Sequence, residues 1–185
     1  MMAAKTVQHE VVLRFWFAEV EPEQWWKADR RFDSLIRERF AGIHEKALRC
    51  ELAHWRESAR GRLAEIIVLD QFSRNIHRGQ AQAFLADPLA LALAQEAVSA
   101  GADKLLEAIE CSFLYMPFMH SESIQIHRRA VELFTRLNIA SALDFERRHQ
   151  AIIERFGRYP HRNAILGRVS TKAELSFLSE PGSSF

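Results

Sequence analysis

Between Arg60 and Phe72, apolar side chains fall on every side of a helix: Leu63, Ala64, Ile66, Ile67, Val68, Leu69 and Phe72. A helix without a polar face has to be enclosed, so the rest of the chain must be arranged around this one. The enclosing elements read as helices too. Ala (25) and Leu (19) outnumber Val (8), Ile (12) and Thr (3) by 44 to 23, a balance that favours helix over sheet. With only 7 Gly and 5 Pro, the chain is neither collagen-like nor of low complexity.

Start and stop signals divide the 185 residues into about eight helices. Thr6 is the expected cap of a first helix reaching about Ala18, with Val11, Val12 and Phe15 on its inner face. Pro22 opens a turn carrying Trp25 and Trp26. Asp29 is expected to cap a helix whose apolar positions, spaced by three or four, are Phe32, Leu35, Ile36, Phe40, Ile43 and Ala47, and Ser58 to cap the enclosed one. Asp87-Pro88 predicts a start with Asp as cap and Pro at the first helical position, and Gly101 a stop. Leu105 to Tyr115 reads as a helix broken by Pro117. Ser121 and Ser141 are the expected caps of the next two helices, the second ending at Gly157. Thr171 and Glu174 form a capping box for a last short helix. The expectation is therefore an all-α fold, a single domain over residues 1–185 with a loosely ordered tail at 179–185. Short connections make neighbouring helices antiparallel. The arrangement expected is a tetratricopeptide-like right-handed superhelix or a bundle, although no period-34 consensus is visible.

Lys and Arg total 25 against 24 Asp and Glu, a net charge of +1. Such a chain carries no global field for nucleic acid or an acidic membrane. The cations are 20 Arg and only 5 Lys. Arg suits planar pairing with carboxylate or phosphate, although genomic base composition is the ordinary reading for most of them. Cys50 and Cys111 are isolated, with no CxxC, which argues against a disulfide framework or zinc cluster and for reduced thiols in the cytoplasm. The apolar run Val11–Phe17 is short and interrupted by Arg14, neither a signal segment nor a membrane span. No P-loop, dinucleotide turn, nucleophile elbow or HExxH occurs, so neither metal nor cofactor is expected.

Three polar stretches stand out. In the first, Asp70 lies on one helical face with Leu63, Ile66 and Ile67, and a carboxylate there needs a partner. Arg74 is one turn on, with Gln71 and Asn75 beside them. A structural ion pair and the polar floor of a pocket both fit. The second stretch, Tyr115 to Ser123, contains His120, Ser121 and Glu122. Capping accounts for Ser121 and Glu122 but leaves His120 less explained, and His127 follows seven residues later. The third runs from His149 to Asn163 and includes Arg158, Tyr159, His161 and Arg162. His149 lies on an apolar face, where a core histidine is the ordinary reading. From Arg155 to Arg168 there are four Arg and no acid, so carboxylates elsewhere or an anion must balance them.

The runs Leu69–Asn75, Tyr115–Glu122 and Phe156–Asn163 resemble the motifs of the bacterial family known as domain of unknown function 924, and Phe15-Trp16-Phe17 and Ser170-Thr171 are similar to it as well. The resemblance extends from about residue 10 to 178. It implies an all-α fold similar to tetratricopeptide repeats, and no established activity or catalytic residue. Two functional readings remain open, beside that of a purely structural polar network. One is a compact site for a small anionic molecule, binding it or acting on it, built from Asp70, Gln71, Arg74, Asn75, His120, Ser121, Glu122, His149, Arg158, Tyr159, His161, Arg162 and Asn163. The other is an adaptor with a peptide groove marked by exposed Trp25, Trp26 or Phe118.

Overall fold

In the computed structural model, residues 8–183 are described, and among them there is no strand. The helix α1 (Gln8–Arg14) continues into a wider π turn, Phe15–Glu19. The expected cap Thr6 lies outside the described residues. Next come α2 (Arg30–Leu48) and α3 (Ala59–Ile67), which runs through a second π turn, Val68–Phe72, into α4 (Ser73–Ile76). The chain goes on with α5 (Asp87–Ser99), α6 (Ala108–Met119), α7 (Ile124–Leu137), α8 (Ala140–Phe156) and α9 (Lys172–Leu178).

The enclosed helix is where its composition requires. Leu63, Ala64, Ile66, Ile67, Val68, Leu69 and Phe72 are fully buried. Helices α1, α2, α5 and α6 pack against the α3–α4 rod, and α7 and α8 extend the stack outward from α6. Burying each large apolar side chain contributes roughly 1.5–3 kcal/mol, so this rod anchors the main core. A smaller apolar cluster of Ile152, Ile153 and Tyr159 lies under Phe156 and Phe177.

Several caps match the sequence. Asp29 accepts from the amides of Arg31 and Phe32, Ser58 from Gly61, and Thr171 and Glu174 form a reciprocal box. Gly101 and Gly157 end helices in the left-handed conformation, φ 73° and 68°, which glycine adopts without a Cβ clash.

Four expectations are corrected. Pro117 does not break α6, which continues to Met119 and closes with the His120 amide on the Met116 carbonyl at 2.9 Å. The last turn tolerates proline because its surroundings are buried apolar side chains that hold the helix together. Ser121 caps nothing, since α7 begins at Ile124 with Ser123 before it. Ser141 lies inside α8, whose start follows the turn at Asn138 (φ 56°) and Ile139. Asp87 is already helical and makes no cap, because its carboxylate is drawn away by two guanidinium groups. The described part of the tail folds back, with Ser183 Oγ donating to the Leu178 carbonyl at 3.1 Å.

Candidate functional site

Asp70 sits in the π turn of the central rod, 1% exposed. A π turn widens the helix by a residue and is frequent at functional sites. Ser73 Oγ donates to the Leu69 carbonyl (2.5 Å) and Arg74 Nη1 to that of Asp70 (2.7 Å), so neighbouring side chains serve the backbone of this wide turn. The Asp70 carboxylate accepts from Gln71 Nε2 at 2.5 Å and His120 Nδ1 at 2.7 Å, with Arg74 Nη1 at 3.3 Å. Burial alone would raise its proton affinity; the Arg74 charge and His120 more than offset that and hold the carboxyl well below the usual range.

An ionised Asp70 can only accept, so His120 donates through Nδ1 and keeps the lone pair on Nε2 while neutral. Burial lowers the proton affinity of His120, Arg74 lowers it further, and Asp70 opposes both. The net result is a neutral imidazole near pH 7, carried on a side chain that is 17% exposed and lines a cleft of about 800 Å³.

Arg162 reaches the same cleft from the far end of the chain. Gly157 ends α8, Tyr159 is fully buried as an anchor, and Pro160–Arg162 forms one tight 3-10 turn. The guanidinium carbon lies over the ring of Phe84 (4.7 Å) and over that of Tyr159 (4.6 Å), both cation–π contacts. Its Nη2 donates to the His120 carbonyl at 3.0 Å and Nη1 to Asp87 at 3.2 Å, while the buried Nε has no acceptor among the described residues. Asp87 also accepts from both Nη atoms of Arg74, at 3.0 and 3.1 Å. Arg74 thus bridges Asp70 and Asp87, Arg162 shares Asp87, and His120 pairs with Asp70.

The remaining members of the predicted site are dispersed around this centre. Ser121 and Glu122 line the cleft. Glu122 accepts from the Tyr159 amide (2.7 Å) and from Arg168 (2.6 and 2.9 Å). Tyr159 Oη donates to the Met119 carbonyl at 2.5 Å and lies 3.2 Å from His127, which itself bonds Glu146 and the Ser121 carbonyl. His120 and His127 share no helix, because α6 ends at Met119 and α7 starts at Ile124. His149 donates from Nδ1 to the Phe145 carbonyl and packs edge-on against Tyr159, and burial lowers its pKa to about 3. His161 packs on Tyr159 as well, its pKa lowered to about 4 by burial and by Arg162.

Three residues turn elsewhere. Arg158 pairs with Glu174 of α9 at 2.6 and 2.9 Å, so it does not face the cleft with Arg162 as expected. Asn75 donates to Asp33 of α2, which also holds Arg78. Asn163 bonds Ser170. The run of four Arg is balanced largely by carboxylates rather than left open: Glu174 for Arg158, Asp87 for Arg162 and Glu122 for Arg168. Arg155 lies over the Phe156 ring. Sequence reasoning missed Asp87, read as a cap, and the apolar wall of Phe84, Leu85, Leu91 and Leu166. The unmatched Arg run was the signal that more carboxylates had to arrive from a distance.

A smaller recess of about 370 Å³ beside α1 contains Arg60, but that cation is already held by Glu10 and Glu110. Among the described residues no group of three or more His, Cys, Asp or Glu is placed to hold a metal ion, and no helix is long and apolar enough to cross a membrane.

The fold and site define an all-α protein with a His–Asp pair at an arginine-bearing cleft. The chain belongs to the family described as a bacterial protein of unknown function, DUF924, whose model matches residues 12–182. It is similar to the solved structure of a protein of unknown function, ATU0120, from Agrobacterium tumefaciens, with 38% identity, a TM-score of 0.89, and coverage of 93% of this chain and 97% of that one. No curated protein matches.

Proposed function

We propose that the cleft binds a small anionic molecule and that His120 exchanges a proton with it. The observation that carries this reading is the His120–Asp70 pair, 2.7 Å apart, at a cleft that also presents Arg162. A buried carboxylate that fixes one imidazole nitrogen makes the other a competent base near neutral pH. Arg162 supplies positive charge beside it, and its buried Nε–H has no acceptor among the described residues. The free thiols of Cys50 and Cys111 suit a reducing cytoplasm, where the protein would act. The aromatic anchors of an adaptor groove, with helices stacked in a tetratricopeptide-like way, are less available. Phe118 is buried, Trp25 is half-buried, and the exposed Trp26 stacks on Phe113 and Phe145.

The test is a thermal-shift and calorimetric screen of inorganic phosphate, short carboxylates and phosphorylated metabolites against wild type, Arg162→Gln and His120→Gln. A ligand of this site loses roughly ten- to hundredfold in affinity with Arg162→Gln, the worth of one charge-assisted hydrogen bond. Equal binding by Arg162→Gln and wild type, or no anion binding at all, refutes the reading.

A further inference from the structure

The polar end of the cleft is only a part of it. Beyond His120 and Arg162, the walls are Phe84, Leu85, Pro88, Leu91 and Leu166, contributed by the segment before α5, by α5 itself and by the turn after Arg162. Leu85 is 71% exposed, an apolar side chain left uncovered by the described residues. A site for inorganic phosphate or a short acid needs a small polar cup and gains nothing from such a wall. A volume of about 800 Å³ lies in the range of pockets that enclose a molecule well beyond the size of a phosphate ion.

The charged lining residues, Arg162, Asp87 and Glu122, are tied to one another or to neighbouring cations: Asp87 holds Arg162 and Arg74, and Glu122 holds Arg168. Arg162 spends one Nη on Asp87 and the other on the His120 carbonyl, and its buried Nε–H has no acceptor among the described residues. Phe84 joins the two regions, because one face of its ring meets the guanidinium while the residue also lines the apolar part. A ligand that satisfies both regions has an anionic head and an apolar body, with the head against Arg162 and the body along Leu85, Leu91 and Leu166.

We infer that the cleft takes an amphipathic carboxylate, a molecule with one carboxylate head and an unbranched or compact hydrocarbon body of several carbons. This rests on the anion reading above and specifies its ligand class. The carboxylate head is favoured because its planar pair of oxygens suits the planar N–H donors of a guanidinium fixed over the Phe84 and Tyr159 rings. With the head in place, His120 Nε2 lies at the polar end, where it can accept a proton from a group near the carboxylate.

Straight-chain carboxylates from acetate to octanoate, titrated calorimetrically into the intact protein, test this, with hexanol as the uncharged control and inorganic phosphate as the bodiless one. Affinity is expected to rise by up to about fourfold for each added methylene, the increment for burying one such group. Leu85→Gln changes an exposed side chain and leaves the core untouched. It is expected to flatten that rise while short anions still bind. Arg162→Gln is expected to weaken every carboxylate alike and leave hexanol unchanged. If short anions bind through Arg162 but affinity does not grow with chain length, the amphipathic ligand is refuted and the anion reading stands. Hexanol binding as tightly as hexanoate also refutes the inference, since the head would then contribute nothing. If no anion of any length binds, the anion reading falls and this inference with it.

Discussion

His120 Nδ1 lies 2.7 Å from Asp70 Oδ1, fifty residues earlier in the chain, and the contact joins the end of α6 to the π turn of the central rod. The carboxylate is buried and the imidazole reaches the cleft, so one hydrogen bond ties the core to the site. Substitutions along this line are therefore expected to affect stability and ligand binding together.

Asp70→Ala removes the shared acceptor of Arg74, Gln71 and His120. Breaking a buried pair from one side costs about 3–5 kcal/mol, because the remaining cation stays desolvated. Denaturant unfolding should show a lower midpoint with an unchanged slope. A wild-type midpoint would mean that Asp87 alone satisfies Arg74.

Tyr159→Phe deletes the hydroxyl that donates to the Met119 carbonyl and keeps the ring beneath Arg162. An unsatisfied buried carbonyl costs about 1–3 kcal/mol. The expected result is a destabilisation in that range with the cation–π contact retained. Chemical denaturation checks the first part, and ligand titration should show less than a threefold change.

Acid should weaken the protein before its carboxylates titrate. Burial lowers the pKa of His44 to about 4 and of His149 to about 3, and His161 falls to about 4 with help from Arg162. These groups bind protons more weakly folded than unfolded, where the ordinary value is about 6.5. Their contribution is fully present above that pH and is lost as the pH falls toward 4 and then 3. Asp70, depressed when folded, adds a loss of the same sign below about pH 4. The melting temperature should decline between pH 6.5 and 4, and His149→Gln should reduce the slope. A flat profile across that interval contradicts the burial of these rings.

Asp87→Asn removes the carboxylate that Arg74 and Arg162 share, leaving Arg74 with Asp70 and Arg162 with the His120 carbonyl. Anion affinity should rise by roughly tenfold, since a nearby negative charge disappears, while folding stability falls. Calorimetry with hexanoate measures the first effect and thermal unfolding the second. Arg158→Ala serves as the comparison, because its partner is Glu174 of α9. It should leave ligand affinity unchanged and speed amide exchange in Lys172–Leu178.

Much of the architecture was readable from local pattern. The fully apolar helix, the caps Asp29, Ser58 and Thr171, and the stops Gly101 and Gly157 all depend on residues within one or two turns of each other. Side-chain spacing along a helix carries that information directly. The expected caps Ser121 and Ser141 failed for the complementary reason: a serine supports a helix start only where the neighbouring fold lets the chain begin there.

The site was legible as three polar stretches but not as a set of pairs. Asp70 and Arg74 are one turn apart, and their proximity followed from helix geometry. Arg162 and Asp87 are separated by 75 residues, Arg168 and Glu122 by 46, and Arg158 and Glu174 by 16. Every Arg in the third stretch had the same formal charge and equivalent candidates among the acids. The sequence by itself determined that this chain is helical, that one helix is enclosed, and that polar groups gather at its end and at two later breaks. Which carboxylate neutralises which arginine, and hence that Arg162 rather than Arg158 meets His120, was decided only by tertiary structure. Helical periodicity is a property of neighbouring residues, whereas an ion pair depends on where packing brings two distant backbones, and no local pattern encodes that distance.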